Sequence, residues 1–486
     1  MRRLRRCKII ATLGPASATP AMVAALFHAG ADLFRINMSH ASHEDLRTQA
    51  AMINALREET GRPVGILIDL QGPKLRIGTF RERVVTLVQG EKFVLDSDPA
   101  PGTKKRVWLP HPEVLRSLKP GHTVLIDDGR VKLHVAEADS ERAIAVIDVG
   151  GEISDRKGVC LPDTEIPVSS ITGKDRADIE AGLEAGIDWV AISFVQRPED
   201  VAEVKKLAAG RALVMSKIEK PLAISRLEEI VEISDALMVA RGDLGVEMPL
   251  EKVPGLQKRI NRTARRLGKP VVVATQMLES MVAAPVPTRA EVSDVATAVF
   301  EGADAVMLSA ESAAGAYPLE AVVMMDKIAI EVERDVHYRN IINAQRAAPE
   351  ATNADAIAIA VAARYFAETL DLKAIVAWTS SGATAFRIAR ERPQAPILAL
   401  TPSRETANRL TLVWGVHAVV TKDAYDIDDM TMRACKFAKR EGFAEKGERI
   451  IIVAGMPFGT PGATNMVRIA VIGGETSITP ALPMDS

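Results

Sequence analysis

At 486 residues the chain is too long for a single hydrophobic core, and its length suggests about three domains. With 47% hydrophobic and 26% charged residues it reads as an ordinary soluble globular protein, and a formal net charge of −2 gives no support to a nucleic-acid or membrane-surface role. The cysteines Cys7, Cys160 and Cys435 lie far apart with no CxxC or Cys/His metal spacing, which suggests a reducing, cytoplasmic setting, and no run of about twenty apolar residues is present to span a membrane.

The basic start of the chain imitates a signal n-region, but the apolar stretch from Ile9 to Leu13 is too short for an h-region and breaks at Gly14-Pro15. Eight strand-length apolar runs follow in order, at residues 8–13, 33–38, 64–70, 189–194, 213–218, 236–239, 271–275 and 305–308. Helix-like stretches alternate with them, at 20–30, 43–59, 174–186, 198–207, 225–234, 253–267 and 289–302. This alternation predicts a (β/α)8 TIM barrel, whose chemistry sits at the strand C-termini. One interval breaks the rhythm. Residues 73–167 carry short β-branched runs split by Gly, Asp and Pro, and predict a small β-barrel lid domain inserted after strand three. Beyond about residue 340 an Ala-rich helix at 353–370 and strands at 374–379, 397–400, 417–420, 449–453 and 467–472 predict an open, doubly wound α/β domain. The expected domains are therefore 1–72 with 168–340 (barrel), 73–167 (lid) and 341–486 (C-terminal), with a linker near 346–353.

Several buried runs end in polar groups. Lys217 and Glu219 flank Ile218, so both face one side of a strand; a surface pair is the bland alternative, but the run before them is buried. Asp243 follows Arg241-Gly242, where a carboxylate could meet a metal beside backbone N–H groups; a turn Asp or helix cap is the alternative. Glu219 and Asp243 together suggest Mg2+ or Mn2+, bound by few protein oxygens. Thr275 ends strand seven. Arg35, Asn37 and Ser39 alternate at the tip of strand two, followed by His40, and Asp69 ends strand three. Arg35 could hold a phosphate, and Asn37, Ser39 and Asp69 a cation, or all could close a polar barrel end. Lys74 and Arg76 stand at the start of the insertion, where they would face incoming phosphates. Asp127-Asp128-Gly129 and Arg156-Lys157-Gly158 read equally as plain turns. Thr379-Ser-Ser-Gly-Ala-Thr384 follows a strand and opens a helix, a hydroxyl-rich anion cradle or a mere cap, and 456–465 is a Gly/Pro loop of ligand-binding type.

The chain resembles the pyruvate kinases along nearly its whole length. The resemblance is carried by Lys8-Ile-Ile-Ala-Thr-Leu-Gly-Pro-Ala-Ser17, Arg35-Ile-Asn-Met-Ser-His40, Met215-Ser-Lys-Ile-Glu219 and Met238-Val-Ala-Arg-Gly-Asp-Leu-Gly-Val-Glu247. It continues in Ala274-Thr-Gln-Met-Leu-Glu-Ser-Met281, Pro287-Thr-Arg-Ala-Glu-Val-Ser-Asp294 and Val306-Met-Leu-Ser-Ala-Glu311. It implies a homotetramer that moves a phosphoryl group from phosphoenolpyruvate to ADP, giving pyruvate and ATP. By the same resemblance Lys217 would stabilise the transferring group, Glu219 and Asp243 would hold Mg2+, and backbone N–H groups around Gly242 and Asp243 would take the substrate carboxylate. Arg35 would bind the phosphate, Thr275 would lie where the enolate carbon is protonated, and Arg76, His40 and Lys157 would meet the nucleotide phosphates under a closing lid.

One departure stands out. Many family members read Thr-Lys-Gly-Pro-Glu after the strand-three aspartate and use K+, whereas this chain reads Leu70-Gln-Gly-Pro-Lys74. The Lys74 ammonium is expected to replace K+ beside Asn37, Ser39 and Asp69. In the C-terminal domain Thr379, Ser380, Ser381, Gly382 and Thr384 are expected to bind a phosphorylated allosteric activator, with a lean to a monophosphate such as glucose 6-phosphate, ribose 5-phosphate or AMP. Two alternatives from other classes are a metal-dependent oxoacid carbon–carbon lyase and a non-catalytic metabolite sensor.

Overall fold

The computed structural model describes residues 2–165, 169–344, 354–457 and 464–474. Eight parallel strands close a barrel in chain order: Lys8–Leu13, Leu33–Asn37, Gly65–Asp69, Trp189–Ile192, Leu213–Ile218, Ala236–Ala240, Val271–Ala274 and Ala305–Leu308. Their residues are buried on both faces, as parallel strands under helices require. Ile10, Leu67, Trp189, Met215, Met238, Val272 and Met307 fill the interior. Their neighbours Ile9, Ile68, Val190, Val214, Val239, Val273 and Val306 pack outwards against the helices.

Every even-numbered barrel strand is preceded by an aspartate with the same job. Asp32, Asp188, Asp235 and Asp304 each accept a backbone N–H from the preceding strand, from Ile9 (2.9 Å), Ile66 (2.8 Å), Val214 (2.9 Å) and Val271 (3.1 Å). Each also meets a cation: Arg5, Arg57, Lys205 and Arg392 in turn. These clamps fix the N-terminal end of the barrel, where strand-edge N–H groups would otherwise lack partners.

The inserted domain has a six-stranded sheet, a two-stranded ribbon and its own core around Phe93, Leu95, Val107 and Leu133. Its neck is closed by bridging of Arg76 with Gly158 and by Ile77 N–H to Lys157 O (3.0 Å). A helix at Pro112–Ser117 lies within it, where the β-rich sequence suggested only strands; Pro112 sits at its first turn, a position that needs no N–H.

The C-terminal sheet runs Val416–Val420, Ile397–Thr401, Ile375–Trp378, Arg449–Ala454, Met466–Val471; the last strand is antiparallel and the others parallel. This domain docks on the N-terminal end of the barrel. Lys8 Nζ donates to Val416 O (2.7 Å), Gly415 N–H to Arg6 O (2.9 Å), and Arg392 reaches across to Asp304. The expected boundary at 167–168, the linker at 346–353 and most of the 456–465 loop lie outside the described residues.

Candidate active site

The C-terminal strand tips converge on Lys217. Its Nζ donates to Ser193 Oγ (2.8 Å) and lies 3.4 Å from Asp69 Oδ1 and 3.6 Å from Glu219 Oε2. Ser193 in turn donates to Leu70 O (2.8 Å), so the hydroxyl fixes the ammonium on a backbone anchor. Burial opposes a charge on Lys217, but Asp69, Glu219 and Asp243 outweigh it and raise its pKa. The ammonium therefore stays charged at neutral pH. Asp69 is also held by Arg35, Nε to Oδ2 at 2.8 Å, while Arg35 Nη1 donates to Thr12 Oγ1 (3.1 Å). Burial disfavours the Asp69 carboxylate, yet Lys217 and Arg35 hold its pKa below the ordinary value.

Glu219 is 2% exposed, and its Oε1 accepts the Phe194 N–H (2.6 Å). Burial pushes its pKa up; Lys217 pulls it down and the neighbouring Asp243 carboxylate raises it again. Asp243 is exposed at the mouth, on the first turn of the helix Arg241–Glu247. Two facing carboxylates, one buried and one open, need a proton or a cation between them. They suit Mg2+ or Mn2+, which take few protein oxygens and complete their shell with water and substrate oxygens. Among the described residues no cluster of three or more potential metal ligands occurs.

Thr275 lies just beyond strand seven with φ 68°, and Gln276 follows at 52°. For a β-branched residue this left-handed backbone is strained. Arg241 holds it there, Nη2 to Thr275 O at 2.7 Å and Nε to Ala274 O at 3.2 Å, and is itself fixed by Asp294 at 2.6 Å. Thr275 Oγ1 donates to Ala274 O (2.6 Å) and accepts the Gly242 N–H (2.8 Å). The Gly242 N–H expected to meet a substrate anion is thus already engaged, and an anion there would have to share or displace the hydroxyl.

The remaining expected residues spread around this centre. Asn37 Oδ1 accepts the Ser39 N–H (3.1 Å), and His40 is exposed beside them. Arg76 is exposed at the neck, donating to Arg156 O (2.8 Å), and Lys157 pairs with Asp127 within the lid (2.8 Å). The Lys74 side chain is exposed and forms no ion pair among the described residues. Its charge still belongs to the site's field: partial burial and Arg76 lower its pKa, and Asp243 and Asp69 oppose them.

In the C-terminal domain Thr379 Oγ1 accepts the Gly382 N–H (2.9 Å), with Gly382 at φ 90°. Ser380 and Ser381 are exposed, and Thr384 Oγ1 bonds Thr464 Oγ1 (2.9 Å), which also accepts from Arg387 (3.1 Å). Arg387 is the basic group that the sequence motif did not include; its spacing of three from Thr384 on one helix was the available signal. Ser193 and Arg241 were missed as well. Ser193 carried the same signal as Lys217, a polar residue closing a buried run.

The family model described as "Pyruvate kinase, barrel domain" matches residues 4–322, and that described as "Pyruvate kinase, alpha/beta domain" matches 357–470. A pyruvate kinase of Methylorubrum extorquens is 66% identical over 97% of this chain and 98% of the relative. One from Agrobacterium vitis is 48% identical over 97% of this chain and 100% of the relative. The crystal structure of a pyruvate kinase from Cryptosporidium parvum, 31% identical, superposes with a TM-score of 0.91 and covers 96% of both chains. With the barrel and insertion matched over 4–322 and the C-terminal domain over 357–470, the chain belongs to the pyruvate kinase family.

Proposed function

We propose that the barrel mouth moves the phosphoryl group of phosphoenolpyruvate to ADP, giving pyruvate and ATP, with the residues around Lys217 carrying the step. The observation behind this is the charge arrangement: an ammonium kept charged by Asp69, Glu219 and Asp243, beside a buried Glu219 carboxylate that burial and Asp243 still push up. Phosphoryl transfer asks the protein mainly for positioned charge where negative charge is shared between two oxygens. Lys217 Nζ would supply it, oriented by Ser193. Glu219 and Asp243 would hold Mg2+ or Mn2+, which neutralises the phosphoryl and enolate oxygens when bound. Arg35, kept rigid by Asp69 and Thr12, would face the phosphate. Thr275 Oγ1, held in a strained turn, would sit near the enolate carbon and steer a proton to it through water. Arg76, His40 and Lys157 would meet the nucleotide phosphates as the inserted domain closes and excludes water.

Independence from K+ is part of this reading, supported by the Lys74 charge in the field of Asp69 and Asp243. So are a cytoplasmic location, a homotetramer, and activation by a phosphorylated metabolite at Thr379, Ser380, Ser381, Gly382 and Thr384. Among the described residues no helix is long and apolar enough to cross a membrane. The two exposed serine hydroxyls and Arg387 support a single phosphate at the C-terminal turn. Pyruvate formation from phosphoenolpyruvate and ADP, followed by coupled NADH oxidation, tests the reaction. It should need a divalent cation, and its half-saturation should fall with a sugar monophosphate or AMP. No pyruvate under these conditions would refute the reading.

A further inference from the structure

The lid touches the barrel mouth at a buried charge pair that the reaction described above does not use. Lys220 and Glu247 are 5% and 6% exposed and form an ion pair. Glu247 Oε2 is buried without a hydrogen-bond partner. An unpaired oxygen of a buried carboxylate is costly unless something answers it. Within electrostatic reach of this carboxylate is the thiol of Cys160, from the last strand of the inserted domain, Val159–Cys160. Burial pushes that thiol up to about 12, with Glu247 adding to it, so it stays protonated and can donate. The lid also comes close to the same helix at Gly129, where a Cβ would stand 3.8 Å from Val246 Cγ1, the residue before Glu247.

The pair leads directly to both proposed metal carboxylates. Lys220 Nζ lies 4.9 Å from the centre of the Phe194 ring, and the Phe194 N–H holds Glu219 Oε1 at 2.6 Å. Phe194 has φ 59°, a left-handed backbone that a bulky residue keeps only when its surroundings impose it. Glu247 and Asp243 share the helix Arg241–Glu247, so a shift of Glu247 moves Asp243 with it. We propose that Cys160, Glu247 and Lys220 form a latch: docking of the lid thiol on Glu247 sets Lys220 and Phe194, and through them the spacing of Glu219 and Asp243. The three are positioning residues and touch no reacting atom. Lid closure and divalent-metal binding are then coupled in both directions, because a coupling between two equilibria is reciprocal. The latch rests on the metal role given to Glu219 and Asp243.

Two readouts test it without turnover. The first is Mn2+ binding, measured by electron paramagnetic resonance with the metal alone. Glu247→Gln should weaken it by about tenfold or more, the usual scale for a group that orients metal ligands. Cys160→Val should weaken it several-fold, and Cys160→Ser, which keeps a donor, should restore most of the loss. If Glu247→Gln folds poorly, Lys220→Met with Glu247→Leu replaces the pair by apolar volume and should show the same loss. The second is alkylation of Cys160 by iodoacetamide in a Cys435→Ser background, where Cys7 is buried. Alkylation should be slow, slower still with Mn2+ and phosphoenolpyruvate, and fast in Glu247→Gln. Unchanged Mn2+ affinity in both Cys160→Val and the double variant would overturn the latch, as would alkylation at the rate of a free thiol. An enzyme that makes no pyruvate but shows the Mn2+ coupling would refute the reaction and keep the latch; the reverse result would refute the latch alone.

Discussion

The two ends of the barrel both bury charge, and they treat it in opposite ways. At the N-terminal end Asp32, Asp188, Asp235 and Asp304 each have a strand N–H and a cationic side chain, and the C-terminal domain adds Arg392 and the Trp414 N–H to Asp304. At the C-terminal end Asp69 Oδ1 and Glu219 Oε2 share one ammonium, that of Lys217, at 3.4 and 3.6 Å, and burial with the neighbouring Asp243 still raises the Glu219 pKa. The first arrangement is closed on itself and serves folding. The second keeps a buried carboxylate above its ordinary pKa, which is what a functional site looks like in electrostatic terms.

The largest effect should come from the charged centre of the open end. Lys217→Met removes a group that acts on the transition state, which typically costs about 10²–10³-fold or more in kcat. Mn2+ binding by the same variant should persist; half of the wild-type turnover would exclude Lys217 from the chemistry. At the closed end the effect should fall on stability instead. Arg392→Ala leaves Asp304 buried with one cation fewer, a change worth about 3–5 kcal/mol in urea unfolding, while the folded fraction keeps its kcat. A variant as stable as wild type would show that the clamp is decorative.

A pH titration sharpens the contrast. Burial disfavours the Asp32 carboxylate, but Arg5, Lys8 and Arg3 outweigh it and hold its pKa at about 2, below the ordinary 3.8. The folded value is the lower one, so the stabilisation, about 2 kcal/mol, is complete above the unfolded pKa and is lost as the pH falls through the folded one. The stability gap between wild type and Asp32→Asn should therefore narrow from about pH 5 downwards. A constant gap would contradict the assignment. The smallest change concerns Lys74. Wild type should keep its rate when tetramethylammonium replaces K+, and Lys74→Glu should gain a partial response to KCl. Strong K+ stimulation of wild type would show that the exposed ammonium does not do the work of a bound ion.

How much of this was readable in the chain follows the same division. Lys217, Glu219, Asp69 and Arg35 announce themselves because a charged residue closing a buried apolar run needs a reason. The eight strands, the insertion and the second α/β unit follow from the alternation of short apolar runs with helical stretches. The clamping aspartates did not stand out, since an Asp before a strand reads as an ordinary turn residue until the neighbouring strand's N–H is in view. Phe194 and Thr275 gave no hint of positive φ, because the strain is imposed by Glu219 and Arg241 from elsewhere at the barrel mouth. Lys74 was legible as a change of charge, because a lysine stands where many relatives carry an acid.

The most direct test of the open-end claim is thermal unfolding with and without Mg2+. Mg2+ should raise the unfolding temperature of wild type, and should do so far less in Glu219→Gln and Asp243→Asn, whose amides bring no charge to the ion. Without metal, Glu219→Gln should be as stable as wild type or more so, because it removes a buried carboxylate raised by burial and by Asp243. An equal Mg2+ shift in all three proteins would place the ion elsewhere and contradict the account.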